Sequence, residues 1–585
     1  MNKLIAWFLN IYKKVLNFLT NKNSEQNTVL KNNQDKKIDG FLSKCIIDLI
    51  NYARNPKALG LEAVIIQDGV CGSGKTTSIF NYINFELLPA NTENRIIFIS
   101  PYLDELHRIA GTKSDGTKAN NPVKDKQGRV IYKPYSNHSK GDYSGRPFIG
   151  QFNHVKALPT KLQYFKTLLA ENKHIVATHK LFESLDQECL DLISQKRYHL
   201  IIDEEPIAIT TIKDQYTLKI YKGNDDKGKA KKPLELKLES TDINSMIESG
   251  IISISDEKLV YHGPFLSRYK DFLNDVKEGK IIKYNHLTNS GYQRLVYLWM
   301  QNPSVFKSFR TCHVLTYKFK NSMLNAYFDV NSIPYLIDDL TWQEMLNEDK
   351  VKPYHQLVTL HKVQTSKILP ERPESKAVYS LSSKWLSNYK EFVKETGKNP
   401  IQRDLLTFFK KPGISVGDKM WTTIKHAAST LEGNGYKKGF VSCNIKATNT
   451  LINRHHLAFM YNAFQNPLIL NYLKNKNAPF SNKAYASSML IQWVFRSALR
   501  SGKPINLLLP EERMHGLFKN WLDDFEQQYN SPRDFIKTYP NINNTVFKPE
   551  IDTFSMKELL QIQPGVKYMK NLQEQLKSAK NTHLK

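Results

Sequence analysis

The sequence predicts an α/β protein with two parallel-sheet domains in tandem. Three observations carry that prediction. From Leu61, short apolar runs alternate with longer amphipathic segments; a second series of the same kind starts near Lys376; and a glycine-rich turn stands where the first strand meets the first helix. At 585 residues there is room for about three or four domain-sized units. A hydrophobic share of 41% and a charged share of 24% make an ordinary globular balance, which excludes a mostly disordered, collagen-like or disulfide-stapled chain.

The N-terminus comes first. Leu4, Phe8, Ile11, Val15, Phe18 and Leu19 fall at helical spacing with Lys3, Lys13 and Lys14 between them, so residues 1–20 predict an amphipathic helix. It fails as a signal peptide, because the apolar run is short and no small-residue cleavage site follows. It would dock on a membrane surface or a partner protein, or pack on its own chain. Residues 21–37, rich in Asn, Lys and Gln, read as a linker.

The first sheet domain is expected over 38–350, with strands at Ala63–Ile66, Ile96–Ile99, Ile175–Ala177 and Leu200–Ile202. Insertions at about 111–145 and 207–300 interrupt the alternation, the first of them a polar stretch. The part near Lys213–Lys237 is expected as long loops or hairpins. The second domain is expected over 351–515, with strands at Ala377–Leu381, Gly439–Cys443 and Ile505–Leu509. Residues 516–585 read as a mainly helical extension. No internal repeat is visible.

Five scattered cysteines without CxxC pairs argue against a disulfide framework and against a zinc ribbon, as expected of a reduced, intracellular protein. No run reaches the ~18 apolar residues that a membrane-spanning helix needs. The net charge of +27 makes a polyanion the first partner to consider, either nucleic acid or an anionic membrane surface.

The strongest local signal is Gly69-Val70-Cys71-Gly72-Ser73-Gly74-Lys75-Thr76, which satisfies GxxxxGK[ST] between an apolar strand and a helical pattern. Its glycines let backbone N–H groups converge on phosphate oxygens at a helix N-terminus. Lys75 would reach the β- and γ-phosphates of a nucleotide, and the Thr76 hydroxyl would ligate Mg²⁺. The predicted nucleotide contacts are Gly69, Gly72, Ser73, Gly74, Lys75, Thr76 and Thr77. A second acidic element follows the apolar run Leu200–Ile202: Asp203 is placed to hold Mg²⁺ through water, and Glu204 to orient and deprotonate the attacking water. ATP and Mg²⁺ are therefore the expected cofactors.

Asp203-Glu204-Glu205-Pro206 resembles the DExx box of superfamily-2 helicases. Between the two ATP motifs, Ile99-Ser100-Pro101-Tyr102-Leu103 and Ala177-Thr178-His179-Lys180-Leu181 resemble the family's backbone-gripping loops. In the second half, Gln492-Trp493-Val494-Phe495-Arg496-Ser497-Ala498-Leu499-Arg500 is similar to the family's arginine motif, on a helix where Gln492, Arg496 and Arg500 would share one face. Phe495 stands where the family has Gly, and Arg500 falls one position late, so either Arg496 or Arg500 would be the arginine finger. Phe440–Asn449 is similar to motif V, and Val314-Leu315-Thr316-Tyr317 to motif III, displaced by the second insertion. The likeness runs over about residues 60–515 and points toward the divergent DEAD/DEAH-type helicases of phages and mobile elements.

That resemblance implies two RecA-like domains with an ATP site in the cleft between them. It implies catalytic roles for Glu204, Gln492, Arg496 and Arg500, and nucleic-acid contacts at Ser100, Pro101, Thr178, Thr448 and Asn449, with DNA ahead of RNA as the partner. The competing reading is a P-loop ATPase that acts as a switch or scaffold for a protein or membrane partner.

Overall fold

In the computed structural model, the residues described are 63–83, 87–88, 91, 93–110, 123–124, 130–132, 152–156, 160–220, 234–287, 292–337, 351–362, 380–410, 413–443 and 450–530. The predicted N-terminal helix (1–20), the linker, Thr448, Asn449 and everything beyond Asn530 lie outside them.

The first domain is a seven-stranded, all-parallel sheet. Its strands are β1 (Val64–Asp68), β2 (Arg95–Ser100), β5 (Phe152–His154), β6 (His174–Thr178), β7 (Tyr198–Asp203), β15 (Thr311–Thr316) and β16 (Tyr335–Ile337), in the order β16-β1-β15-β7-β2-β6-β5. All four strands expected from their apolar runs form. Both faces of such a sheet must be covered, and the alternation shows it. Ile97 and Ile99 face one core with Phe165, Leu168 and Leu169 of α3 (Lys161–Ala170), whereas Ile96 and Phe98 face the other. There they meet Ile79 and Phe80 of α1 (Lys75–Tyr82) and Leu106 and Ile109 of α2 (Leu103–Ala110).

The second domain carries a smaller all-parallel sheet: β17 (Val358–His361), β18 (Lys419–Thr422), β19 (His456–Phe459) and β20 (Ile505–Leu508), in the order β17-β20-β19-β18. The fold is thus α/β, with two parallel, RecA-like sheet domains in tandem. Only β20 matches an expected second-domain strand. Gly439–Cys443 is not a strand: Gly439 ends a 3₁₀ turn, and Phe440 makes one isolated bridge to Trp421. A Cβ at Gly439 would lie 2.6 Å from the Lys419 carbonyl oxygen, so the chain passes close over the start of β18, and its pairing there is the Phe440 bridge with the Val441 N–H donating to the Trp421 carbonyl at 2.9 Å. Of Ala377–Leu381, Ser380 and Leu381 are described, and they form a turn.

The chain between β7 and β15 adds an antiparallel sheet to the first domain: Ile281, Tyr297 and Trp299 face a core of its own, whereas Ile282, Tyr284, Val296 and Leu298 join the core of the parallel sheet. β8 (Ile209–Thr211), β11 (Ile252–Ser255), β12 (Lys258–Tyr261), β13 (Ile281–Leu287) and β14 (Gln293–Met300) form this sheet in the order β11-β12-β13-β14-β8. A hairpin of β9 (Thr217–Ile220) and β10 (Leu234–Lys237) extends from it, within the segment expected as loops or hairpins. A shorter hairpin, β3 (Val123–Lys124) with β4 (Val130–Tyr132), lies in the first insertion.

After β19 the second domain sends α4 (Pro467–Asn475) across to the first. Asn466 caps this helix by accepting from the Leu468 N–H at 3.0 Å, with Pro467 at the first helical position. Ile469, Tyr472 and Leu473 enter the first domain's core, each worth about 1.5–3 kcal/mol when buried. The helix is pinned to the antiparallel sheet by Tyr284 donating to the Leu468 carbonyl. The Lys476 ammonium adds contacts at 3.0 and 2.9 Å from the Glu257 carboxylate oxygens. Among the described residues, no helix is long and apolar enough to cross a membrane.

Candidate active site

The site grows from the C-terminal ends of β1, β15, β7 and β2, which the sheet order places side by side. After β1 the chain turns through Gly72 and Gly74, with φ of +83° and +92°; only glycine takes this region without strain, and Gly74 is the N-cap of α1. Ser73 Oγ donates to the Val70 carbonyl at 2.7 Å, and Lys75 Nζ lies across the loop, donating to the Gly69 carbonyl and, at 3.1 Å, to that of Val70. Burial holds the Lys75 ammonium below its ordinary pKa. Thr76 follows in the first turn of α1, half-buried; Thr77 is the next residue of the same helix.

Asp68, the last residue of β1, gives the loop its foundation. Its carboxylate accepts from the backbone N–H groups of Lys318 at 2.7 Å and Phe319 at 2.9 Å, which ties the loop's base to the turn after β15. Burial raises its pKa against the pull of those two donors. It stands outside the GxxxxGK[ST] pattern, and the motif offered no signal for it.

At the end of β7, Asp203 is half-buried. Ser100 Oγ donates to Asp203 Oδ2 at 3.4 Å, and His179 Nε2 donates to its backbone carbonyl at 3.0 Å. Burial first, then the like charges of Glu105 and Glu204, push the Asp203 carboxyl up to about 7. Glu204 then departs from the strand with φ of +64°, a left-handed conformation costing a non-glycine residue on the order of 1–3 kcal/mol. Its N–H is secured by the Leu315 carbonyl at 2.9 Å. Its side chain is gripped at both oxygens: Arg496 Nη2 at 2.6 Å from Oε1, and the Tyr102 hydroxyl donating to Oε2 at 3.1 Å. Glu205 points away and accepts from Thr316 Oγ1 at 3.1 Å.

Arg496 reaches Glu204 from the second domain. Its helix, α5 (Asn482–Val494), ends before the arginines. Phe495 caps it, and Ser497 starts a one-turn 3₁₀ helix, Ala498–Ser501, by accepting from the Leu499 N–H while donating to the Val494 carbonyl at 2.6 Å. Gln492, Arg496 and Arg500 therefore do not share one continuous helix face. The expected inward packing is present, with Ile491, Val494, Phe495 and Ala498 fully buried. Arg500 lies against the phosphate-binding loop, its Cγ 3.3 Å from where a Cβ on Gly72 would stand. Gln492 does not join them: its amide donates to Ser488 Oγ at 3.0 Å, which in turn donates to the Tyr317 carbonyl at 3.4 Å.

The residues expected to meet nucleic acid have other partners. Ser100 is fully buried, with its hydroxyl on Asp203, so its side chain is not available to a strand. Thr178 caps its helix, accepting from the Leu181 N–H at 3.2 Å. Pro101 is half-buried on the same loop.

Cofactor fit follows from the chemistry of these groups. The glycine turn, the half-buried N-terminal end of α1 and Lys75 could hold phosphate. Thr76 and Asp203 carry oxygen atoms of the kind Mg²⁺ takes from protein when phosphates complete its shell, and they are the residues that could hold it.

Comparison with known proteins adds three findings. Residues 352–522 match the family described as the YonV C-terminal Rossmann-like domain, a span that contains all four strands of the second sheet. The SPbeta prophage-derived uncharacterized protein YonV of Bacillus subtilis (strain 168) is 27% identical over 478 residues, or 79% of this chain and 100% of that protein. The solved chain named XPD_APO covers 82% of this chain and 98% of its own length at 11% identity, with a TM-score of 0.40.

Proposed function

We propose that this chain is an ATP-dependent nucleic-acid helicase or translocase of the phage-borne kind, hydrolysing ATP in the cleft between its two parallel-sheet domains. The observation that carries the proposal is the ion pair between Glu204 and Arg496, which joins the two domains at the side chain best placed to act as base. A guanidinium supplied across a cleft neutralises charge that develops during phosphoryl transfer, and it makes hydrolysis depend on closure.

In this reading the Gly69–Lys75 loop and Thr77 hold the nucleotide, and Thr76 and Asp203 hold Mg²⁺. Bound ATP with Mg²⁺ supplies the phosphoryl group and its charge neutralisation. Glu204 takes the proton of the attacking water. For that, one of its oxygens must be released, so Arg496 has two uses: it holds the base while paired, and frees it when its charge is drawn elsewhere. Arg500, against Gly72, completes the second-domain side. The excess of positive charge supports nucleic acid as the partner.

The test is the ATPase rate with and without single-stranded DNA, duplex DNA and RNA. Hydrolysis stimulated by at least one, with single-stranded DNA foremost, is the expected result. Hydrolysis indifferent to all three would remove the translocase reading, and no hydrolysis under any condition would remove the enzyme.

A further inference from the structure

We propose that Tyr102 is a positioning residue for Glu204, through which the turn 101–102 and the start of α2 set the rate of ATP hydrolysis. The inference rests on the reading of Glu204 as the base and adds a residue and a control route to it. The loop between β2 and α2 is bonded to both acids of the site. Ser100, before Pro101, donates to Asp203 Oδ2; Tyr102, after it, donates to Glu204 Oε2 at 3.1 Å. The two are also joined to each other, the Tyr102 N–H donating to Ser100 Oγ at 3.4 Å, and Pro101 between them stiffens the link by fixing φ. The Tyr102 carbonyl accepts from the Leu106 N–H at 3.1 Å, so the tyrosine also sits at the first turn of α2.

Orientation is what this hydroxyl supplies. Glu204 leaves its strand in a left-handed backbone conformation, which aims the side chain without fixing its torsions. Arg496 fixes Oε1 only while the domains are together. Tyr102 belongs to the same domain as Glu204 and holds Oε2 whatever Arg496 does. Burial, with the Glu204 charge adding to it, raises the phenol far above its ordinary value, so Tyr102 remains a donor throughout the working pH range. A donor to one carboxylate lone pair leaves the other for water.

The other end of the loop faces outward. Leu103, the next residue, is 49% exposed, a large apolar side chain at the surface one residue from the site. A strand pressed against Pro101 and Leu103 would move Tyr102 with them, and with it Oε2. This gives nucleic-acid binding a route of one residue to the base.

Tyr102→Phe removes the hydroxyl and keeps the ring. The expected result is a turnover number lowered roughly tenfold or more, as for loss of a hydrogen bond to a charged group, with KM for ATP unchanged and with stimulation by single-stranded DNA reduced. In a Glu204→Gln background, single-turnover hydrolysis should show no further loss on adding Tyr102→Phe, because the hydroxyl acts only through that carboxylate. A tyrosine that merely supports the fold would lower both backgrounds alike, and that additive result would overturn the inference. Wild-type turnover in Tyr102→Phe would overturn it as well, while leaving the ATPase reading intact. A wild-type protein with no ATPase would take down both.

Discussion

Arg496 and Arg500 stand four residues apart, yet their surroundings treat them differently. Burial disfavours the charge of both. For Arg496 the Glu204 carboxylate more than offsets that, and its pKa is raised; for Arg500 the nearby positive charge of Arg496 adds to burial, and its pKa is lowered. Removing one member of a buried pair leaves the other charge without compensation, at a cost of about 3–5 kcal/mol. Arg496→Ala should therefore lose single-turnover hydrolysis by roughly 10³-fold, the lower range for a lost arginine finger, and also lower the urea midpoint. Arg496→Lys should recover part of the stability and little of the rate, because a lysine lacks the planar fork. Arg500→Ala should affect stability less, since it relieves a like-charge contact. Comparing the three variants by urea titration and by single-turnover hydrolysis decides the assignment; a full rate in Arg496→Ala would hand the finger to Arg500.

At the scale of the elements, β6 carries a group whose charge is incompatible with its place. His174 Nδ1 accepts from the Ile96 N–H at 3.2 Å, linking β6 to β2, and protonation of that nitrogen would break the bond. Burial, then the Arg95 charge, lowers its pKa to about 4. The unfolded imidazole, near 6.5, takes up a proton first as pH falls, so stability present above about 6.5 is lost progressively toward 4. By pH 5 the loss should be about 2 kcal/mol. Urea midpoints at pH 7 and pH 5 for wild type and His174→Gln test this: the variant should lose acid sensitivity by that amount, and an unchanged difference would move the cause to another group. Elements of this sheet were legible because their information is local. Apolar runs such as Ile96–Ile99 and Leu200–Ile202 mark fully buried strands, and the glycine turn marks the first strand–helix junction. β18 and β19 were not legible because each begins with a polar residue, Lys419 and His456, which only its neighbours bury or cover. The arginine segment misled for a physical reason. The spacing of Gln492, Arg496 and Arg500 is helical, but Ser497 competes for the backbone and starts a new turn. The meeting of Glu204 with Arg496 and Tyr102 depends on tertiary placement, which no periodicity encodes.

For the whole molecule, two features bear on motion and on partners. The first is α4, a second-domain helix held in the first domain's core by Ile469, Tyr472 and Leu473 and fastened to the antiparallel sheet. In the proposed cycle, opening of the cleft at Glu204 and Arg496 would pivot about this attachment, with the chain bending at the exit of α4, near Asn477. Asn477 already adopts φ of +52° at the helix exit. The second feature is charge. A net +27 on 585 residues is a long-range attraction for a polyphosphate that needs no particular contact, and its thermodynamic signature is counterion release. If that charge serves nucleic-acid binding, the affinity for single-stranded DNA should fall linearly on a log–log plot against salt, by roughly 0.7 per phosphate neutralised, and more steeply, at roughly 0.9 per phosphate, for duplex. Lys75→Ala, which acts at the nucleotide, should leave this slope unchanged in the absence of ATP. Fluorescence anisotropy from low to physiological salt supplies the measurement. A flat response, or no binding even at low salt, would mean that the positive charge is spread for solubility alone and that the site works on a partner of another kind.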